Sequence, residues 1–327
     1  MSLSAPALHV PPVTSPRQKT LVRFAWGVLA YNIAVILWGS VVRATSSGAG
    51  CGEHWPLCNG SVVQHHPQVA TLIELAHRMT SGVALLLMIG LLVWTWRQTA
   101  RGHLARVAVA AAAILTFNEA LLGALLVLLG KVAHDQSASR GVYLSLHLAN
   151  TLLLLAALTL TAHFLARERG YMRGSVDYHS LAPVSAGLFA TLLVGVSGSL
   201  AALGDTLFPA ENLRAAFAQD FSSSSSWLLR LRWLHPAISL LAGAFILWLL
   251  LRGARRNQGL AAGVTGLLLL QYFLGIADVL LRAPVWMQVV HLFGADLLWV
   301  ALITLTARTC ILPAGCPGNI CSTKPQR

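Results

Sequence analysis

Residues 72–96 read LIELAHRMTSGVALLLMIGLLVWTW. The stretch is long enough to cross a bilayer core as a helix, which takes about 20 residues. Yet it carries Glu74, His77 and Arg78 close to one end. Spanning segments seldom hold histidine, and one that does usually turns it to the protein interior or a cofactor and marks a function. Three further apolar segments repeat the feature, with His147, His235 and His291 near the same end of alternate segments. The four histidines fall into two pairs, one in each half of the chain, at matching places.

Composition sets the class. The chain has 327 residues, 56% hydrophobic and 10% charged, with a mean hydropathy of +0.67. A soluble domain carries about 25% charged residues, so this chain reads as an all-α polytopic membrane protein. Helices follow because a backbone in lipid must satisfy its own hydrogen bonds. The net charge of +12 would point to nucleic acid in a soluble protein; here it reads as a topology signal, and nucleic acid is excluded as a partner.

Eight apolar runs give candidate spans at residues 22–42, 72–96, 107–129, 143–165, 181–203, 233–251, 260–281 and 288–310. Of the Lys and Arg residues, fifteen fall on the side of both termini and eight on the other. Cytoplasmic sides collect the basic excess, so both termini are expected in the cytoplasm of a cell inner membrane. The first span is too long for a signal-peptide core and no cleavage site follows it, so it reads as a retained helix. The histidines are then expected in the first two turns of the even-numbered helices, at one depth near the outer face.

The halves resemble each other locally. Leu122-Gly123 matches Leu274-Gly275, and His147-Leu148 opens its span as His291-Leu292 opens another. The expectation is eight transmembrane helices as two pseudo-symmetric four-helix bundles, of the kind that hold cofactors between facing helices. They divide as a tail 1–20, bundles 21–170 and 171–312, and a tail 313–327. The long outer loops are 43–71 and 204–232; the second includes the run Ser222 to Ser226, expected to be flexible and given no chemistry.

Two imidazoles facing across a bundle suit a haem iron. The competing reading is a set of interhelical hydrogen bonds, which four histidines in a repeated pattern disfavour. His54, His65 and His66 read as solvated loop residues. Glu74 and His77, three apart, share a helical face, and Arg78 lies four residues after Glu74. The pair reads either as an ion pair or as a proton-handling carboxylate beside a haem edge, with Arg78 on a propionate. In the second half, Arg232 stands where Glu74 does and Pro236 where Arg78 does, which leaves one site equipped for reaction and one for binding or electron relay.

Other polar residues are less decisive. Arg43 ends the first span and could meet a propionate or lipid headgroups. Glu119 and Gln271 align across the repeat as hydrogen-bonding groups within each bundle. Asp278 and Asp296 receive no role. Cys51 and Cys58 bracket an outer loop where an oxidising compartment allows a disulfide, as a staple or as a redox pair. Cys310, Cys316 and Cys321 read as free thiols.

Taken together, Glu74-x-x-His77-Arg78, the loop ending Trp55-Pro-Leu-Cys58-Asn-Gly60, and Gln271-Tyr-Phe-Leu-Gly-Ile-Ala-Asp-Val-Leu280 leading to His291 resemble the haem A synthase family, over about residues 21 to 310. The resemblance implies eight helices in two bundles and oxidation of the C8 methyl of haem O to the formyl of haem A, for cytochrome oxidase. It implies His235 and His291 on a haem B iron as cofactor, and His77 and His147 on the substrate haem O. Glu74 would be the catalytic carboxylate, with Cys51 and Cys58 the loop cysteines found in some members. A haem O synthase would supply substrate; the electron donor is unnamed and a homo-oligomer is left open. The chain departs from the family in its Ser- and Gly-rich 44–50 stretch and in Asp278.

Two other classes compete. A di-haem b-type quinol oxidoreductase subunit would use the histidines but not an acid, arginine and cysteine set in one half only. A transporter without haem would place its polar groups at the centre of broken helices.

Overall fold

The computed structural model describes residues 16–167, 175–176, 178–223, 225–253 and 257–312. Eight of its helices are long and apolar enough to cross a membrane. In chain order they are α1 (Pro16–Ala44), α2 (Val69–Gln98), α3 (Leu104–Leu128), α4 (Ala138–Leu165), α5 (Tyr178–Leu207), α8 (Leu234–Gly253), α9 (Gln258–Leu280) and α10 (Val285–Cys310). Two short helices, α6 (Leu213–Phe221) and α7 (Trp227–Arg232), fold the loop between α5 and α8. A two-residue antiparallel pair, Ser175–Val176 with Ile311–Leu312, ties the link between the bundles to the end of α10.

Large apolar side chains such as Leu86, Val107, Phe117, Leu241, Leu251 and Phe273 point outward and are exposed. In water that surface would be untenable; around these helices it is the lipid-facing face of a multi-pass membrane protein.

The helices close two rings. α1, α2, α3 and α4 pack in sequence and α4 returns to α1. α5, α8, α9 and α10 do the same. The rings meet through α1 and α4 on one side and α5 and α10 on the other, the relation a twofold axis along the membrane normal produces. Ala105, Ala108 and Ala112 of α3 are buried against α4; small residues let membrane helices approach closely. Leu21, Val28, Leu91, Val109, Leu155 and Leu158 fill the first core, joined by Trp299 and Ile303 of α10. Trp299 Nε1 donates to Leu152 O at 2.7 Å and is buried with it, stitching α10 to α4.

Several boundaries differ from expectation. α1 is already helical at Pro16, inside the segment read as a tail. α4 starts at Ala138 because Ser137 accepts the Arg140 N–H as its N-cap. The run of serines joins two helices: Ser226 caps α7 by accepting from Leu229 N. The bundle boundary at residue 170, the tail 313–327, Cys316 and Cys321 lie outside the described residues.

Candidate functional site

The histidine positions follow from the helix starts. His77 lies eight residues past Val69, His147 nine past Ala138, His291 six past Val285, and His235 eight past Trp227 if α7 is taken as the lead-in to α8. His291 and His235 thus stand within the first two turns of α10 and α8, as expected, while His77 and His147 stand in the third turn of α2 and α4 because those helices begin before their apolar runs do. At about 1.5 Å per residue their depths agree to within a turn.

Each imidazole faces a glycine on the neighbouring helix. A β-carbon at Gly39 of α1 would stand 3.0 Å from His77 Cε1, and one at Gly198 of α5 would stand 2.9 Å from His235 Cε1. The corresponding distances are 3.3 Å for Gly275 of α9 to His291 and 3.9 Å for Gly123 of α3 to His147. The device repeats in order: α1 against α2 as α5 against α8, and α3 against α4 as α9 against α10. Bare backbone at Gly39, Gly198 and Gly275 gives those rings their room, whereas at Gly123 a β-carbon would make only ordinary contact.

His235 and His291 lie with ring centroids 6.4 Å apart and planes at 82°. Two metal–nitrogen bonds of about 2.0 Å, plus the ring radii, require nearly that separation. His77 and His147 are electrostatic neighbours in the other bundle. Nδ1 of His77, His147 and His291 is buried without a well-formed hydrogen bond among the described residues, whereas His235 Nδ1 meets Ser197 Oγ at 3.2 Å. The opposed imidazoles of the second bundle, and the two histidines of the first, are a donor set that fits a bis-imidazole haem iron.

Glu74 and Arg78 form an ion pair, with Arg78 Nη2 2.6 Å and Nε 3.1 Å from Glu74 Oε1. Glu74 is 3% exposed, and its Oε2 accepts the Cys51 N–H at 2.8 Å. Arg78 Nη1 donates to the carbonyls of His54 at 2.7 Å and Leu57 at 3.0 Å. Thr71, one turn earlier, donates to Gly50 O at 2.7 Å. One face of α2 thus holds the loop that the Cys51–Cys58 disulfide closes.

The second half does the same with the charges reversed. Arg232, three residues before His235, donates to Asp220 at 2.7 Å, Asp205 at 3.0 Å and Ala216 O at 3.2 Å. The residue three before the histidine anchors the adjoining long loop in both bundles.

Arg43 crosses from one bundle to the other. Its Nη1 donates to Ala202 O at 2.8 Å and Thr206 Oγ1 at 3.1 Å, and its Nη2 to Gln288 Oε1 at 2.8 Å. No sequence signal announced this reach. Two of the four glycines had been paired, Gly123 with Gly275; Gly39 and Gly198 become visible only against the rings. Glu119 lies 3.2 Å from His147 Nδ1, while Gln271 Nε2 donates to His291 O at 3.2 Å. His54, His65 and His66 lie in the outer loop, and no group of three metal-binding side chains gathers among the described residues.

Fold and site together define a class: a duplicated four-helix membrane protein with two histidines in each bundle, opposed at His235 and His291. The chain belongs to the COX15-CtaA family, described as cytochrome oxidase assembly protein, whose model matches residues 22–303. It is 42% identical over 301 residues to a protein named protoheme IX farnesyltransferase from Thermus thermophilus, an alignment covering 89% of this chain and 48% of that protein. A protein named heme A synthase from Alkalihalophilus pseudofirmus is 37% identical over 151 residues, 46% of each chain. Another of that name, from Bacillus licheniformis, is 28% identical over 274 residues, 79% of this chain and 86% of the relative. The chain spans about half the length of the first relatives it matches.

Proposed function

We propose that the chain is a haem A synthase, an oxidoreductase that converts the C8 methyl of haem O to a formyl. The observation that carries the reading is the fourfold repeat of an imidazole facing a glycine, two per bundle at one depth. In this reading His235 and His291 hold a haem B cofactor, and His77 and His147 hold the substrate haem O. A bound haem supplies the electron and oxygen chemistry; the protein binds, orients and moves protons. The differing equipment of the two sites favours this assignment, since an acid stands beside His77 and an arginine beside His235.

Glu74 is the proton-handling group in the proposal, held in place by Arg78 and the Cys51 amide. Arg43 and Arg78 are the propionate partners, each already anchored by protein groups: Arg78 by Glu74 and the loop carbonyls, Arg43 by Ala202, Thr206 and Gln288. Both termini lie in the cytoplasm, which puts the disulfide loop on the oxidising side. A protein that farnesylates protohaem, the activity stated in the name of the Thermus relative, would supply the substrate.

The test is pigment extraction after expression beside a haem O source. Wild type should yield haem A. Glu74→Gln should retain bound haem and lose the formyl product, because the amide can still accept from Cys51 N–H but cannot carry a proton. Normal turnover by that variant would reduce Glu74 to a loop anchor. Haem B alone from wild type would assign the chain to electron transfer instead.

A further inference from the structure

Glu119 and Gln271 occupy equivalent places, each four residues before the glycine that faces a histidine. Both reach from one helix to its His-bearing neighbour. Their ends differ. Glu119 Oε1 comes within 3.2 Å of His147 Nδ1, an ion-pair contact that lacks the geometry of a formed hydrogen bond. Its other oxygen accepts from Asn150 Nδ2 at 2.5 Å, and Thr151 Oγ1 donates to Oε1. Asn150 is itself fixed by a 2.9 Å bond to Leu115 O. Asn150 offers an amide hydrogen and Thr151 a hydroxyl hydrogen that the His147 carbonyl also attracts at 2.9 Å; a carboxylate accepts such donors.

Gln271 instead turns to the main chain of His291, where its Nε2 donates to the carbonyl at 3.2 Å. Gly294 makes that path open, since a β-carbon there would collide with Gln271 Nε2. His291 Nδ1 is left buried without a partner among the described residues. One position in the repeat thus addresses a ring in the first bundle and a backbone in the second.

We propose that Glu119 is a positioning residue that makes His147 a more electron-donating haem ligand than any histidine of the second bundle. A carboxylate on the far nitrogen of a metal-bound imidazole fixes its tautomer, leaves the other nitrogen for the metal and raises its basicity. A more basic axial ligand favours the oxidised iron and lowers its reduction potential. The pseudo-symmetric ligand set therefore hides two electronically different sites, with the electron-rich one in the bundle that carries Glu74. The inference rests on the haem reading above.

The experiment is an optical redox titration of the purified, haem-loaded full chain, with electron paramagnetic resonance of the oxidised form. His77→Ala identifies the component that belongs to the first bundle. Glu119→Gln should keep the haem content, shift that component to higher potential, change its resonance signature and leave the other component in place. Thr151→Val, which removes one donor to the carboxylate at nearly constant side-chain volume, should move the same component less; it decides the matter if Glu119→Gln loses pigment. Full haem occupancy with neither component moved would overturn the proposal while sparing the haem reading. Wild-type protein without a Soret band, or with a single haem component, would overturn the reading on which it stands.

Discussion

Gly39, Gly123, Gly198 and Gly275 stand against their histidines at unequal distances, and the inequality ranks their substitutions. Alanine at 198 or 39 would put a β-carbon 2.9–3.0 Å from the ring, and at 123 a full 3.9 Å away. Overpacking costs about 1–3 kcal/mol, so Gly39→Ala and Gly198→Ala should lose most of the Soret absorbance per protein. Gly275→Ala should lose less and Gly123→Ala should match wild type; equal losses across the series would refute the steric account. His103 lies on the other side of the membrane and caps α3, its Nδ1 accepting the Ala105 N–H at 3.1 Å. Burial, and after it the nearby Arg106, hold its pKa below the ordinary value. The unfolded chain then takes up the proton first, so the cap's contribution is complete above the ordinary imidazole pKa and fades as pH falls through the depressed one. His103→Asn caps without titrating. As pH falls below the ordinary imidazole value, wild type should lose stability relative to that variant in thermal unfolding, with no difference between them above it.

Elements were legible where apolar length decides and illegible where polar residues fold. All eight spanning helices follow from runs too apolar for water. α6 and α7 do not, because nine and six residues beside a serine run read as a loop. What holds them is Arg232, 9% exposed at its side chain, between Asp205 and Asp220. Removing one partner of a buried ion pair costs about 3–5 kcal/mol. Arg232→Leu should therefore free the loop and speed its cleavage by added protease within residues 208–226, with the spanning helices intact. Cleavage at the wild-type rate would mean that the ion pairs do not hold the loop. Glu74 was legible as a site residue from its spacing to His77, but its hold on Cys51 N–H was not, since nothing in a linear string places that amide.

At the scale of the molecule, two rings of helices share one seam. Trp299 reaches Leu152 O across it, and Arg43 binds residues 159 to 245 positions away in sequence. Those separations explain why the repeat was readable while the seam was not: periodicity is local, and the choice of facing sides is made by the fold. Trp299→Phe should cost about 1 kcal/mol for the lost hydrogen bond, and Trp299→Ala about 3–5 kcal/mol for the void as well, measured by thermal unfolding in detergent. Similar values for both would show that the bond, not the ring, secures the seam. The near-common height of the four imidazoles has a consequence for energetics. Moving one charge through the whole membrane potential is worth about 2.3 kcal/mol per 100 mV, but if each imidazole pair holds a haem iron, as proposed above, an electron passing sideways between them crosses little of that drop. Exchange between the two sites should thus run at one rate in vesicles with a voltage imposed and in vesicles where an ionophore has abolished it.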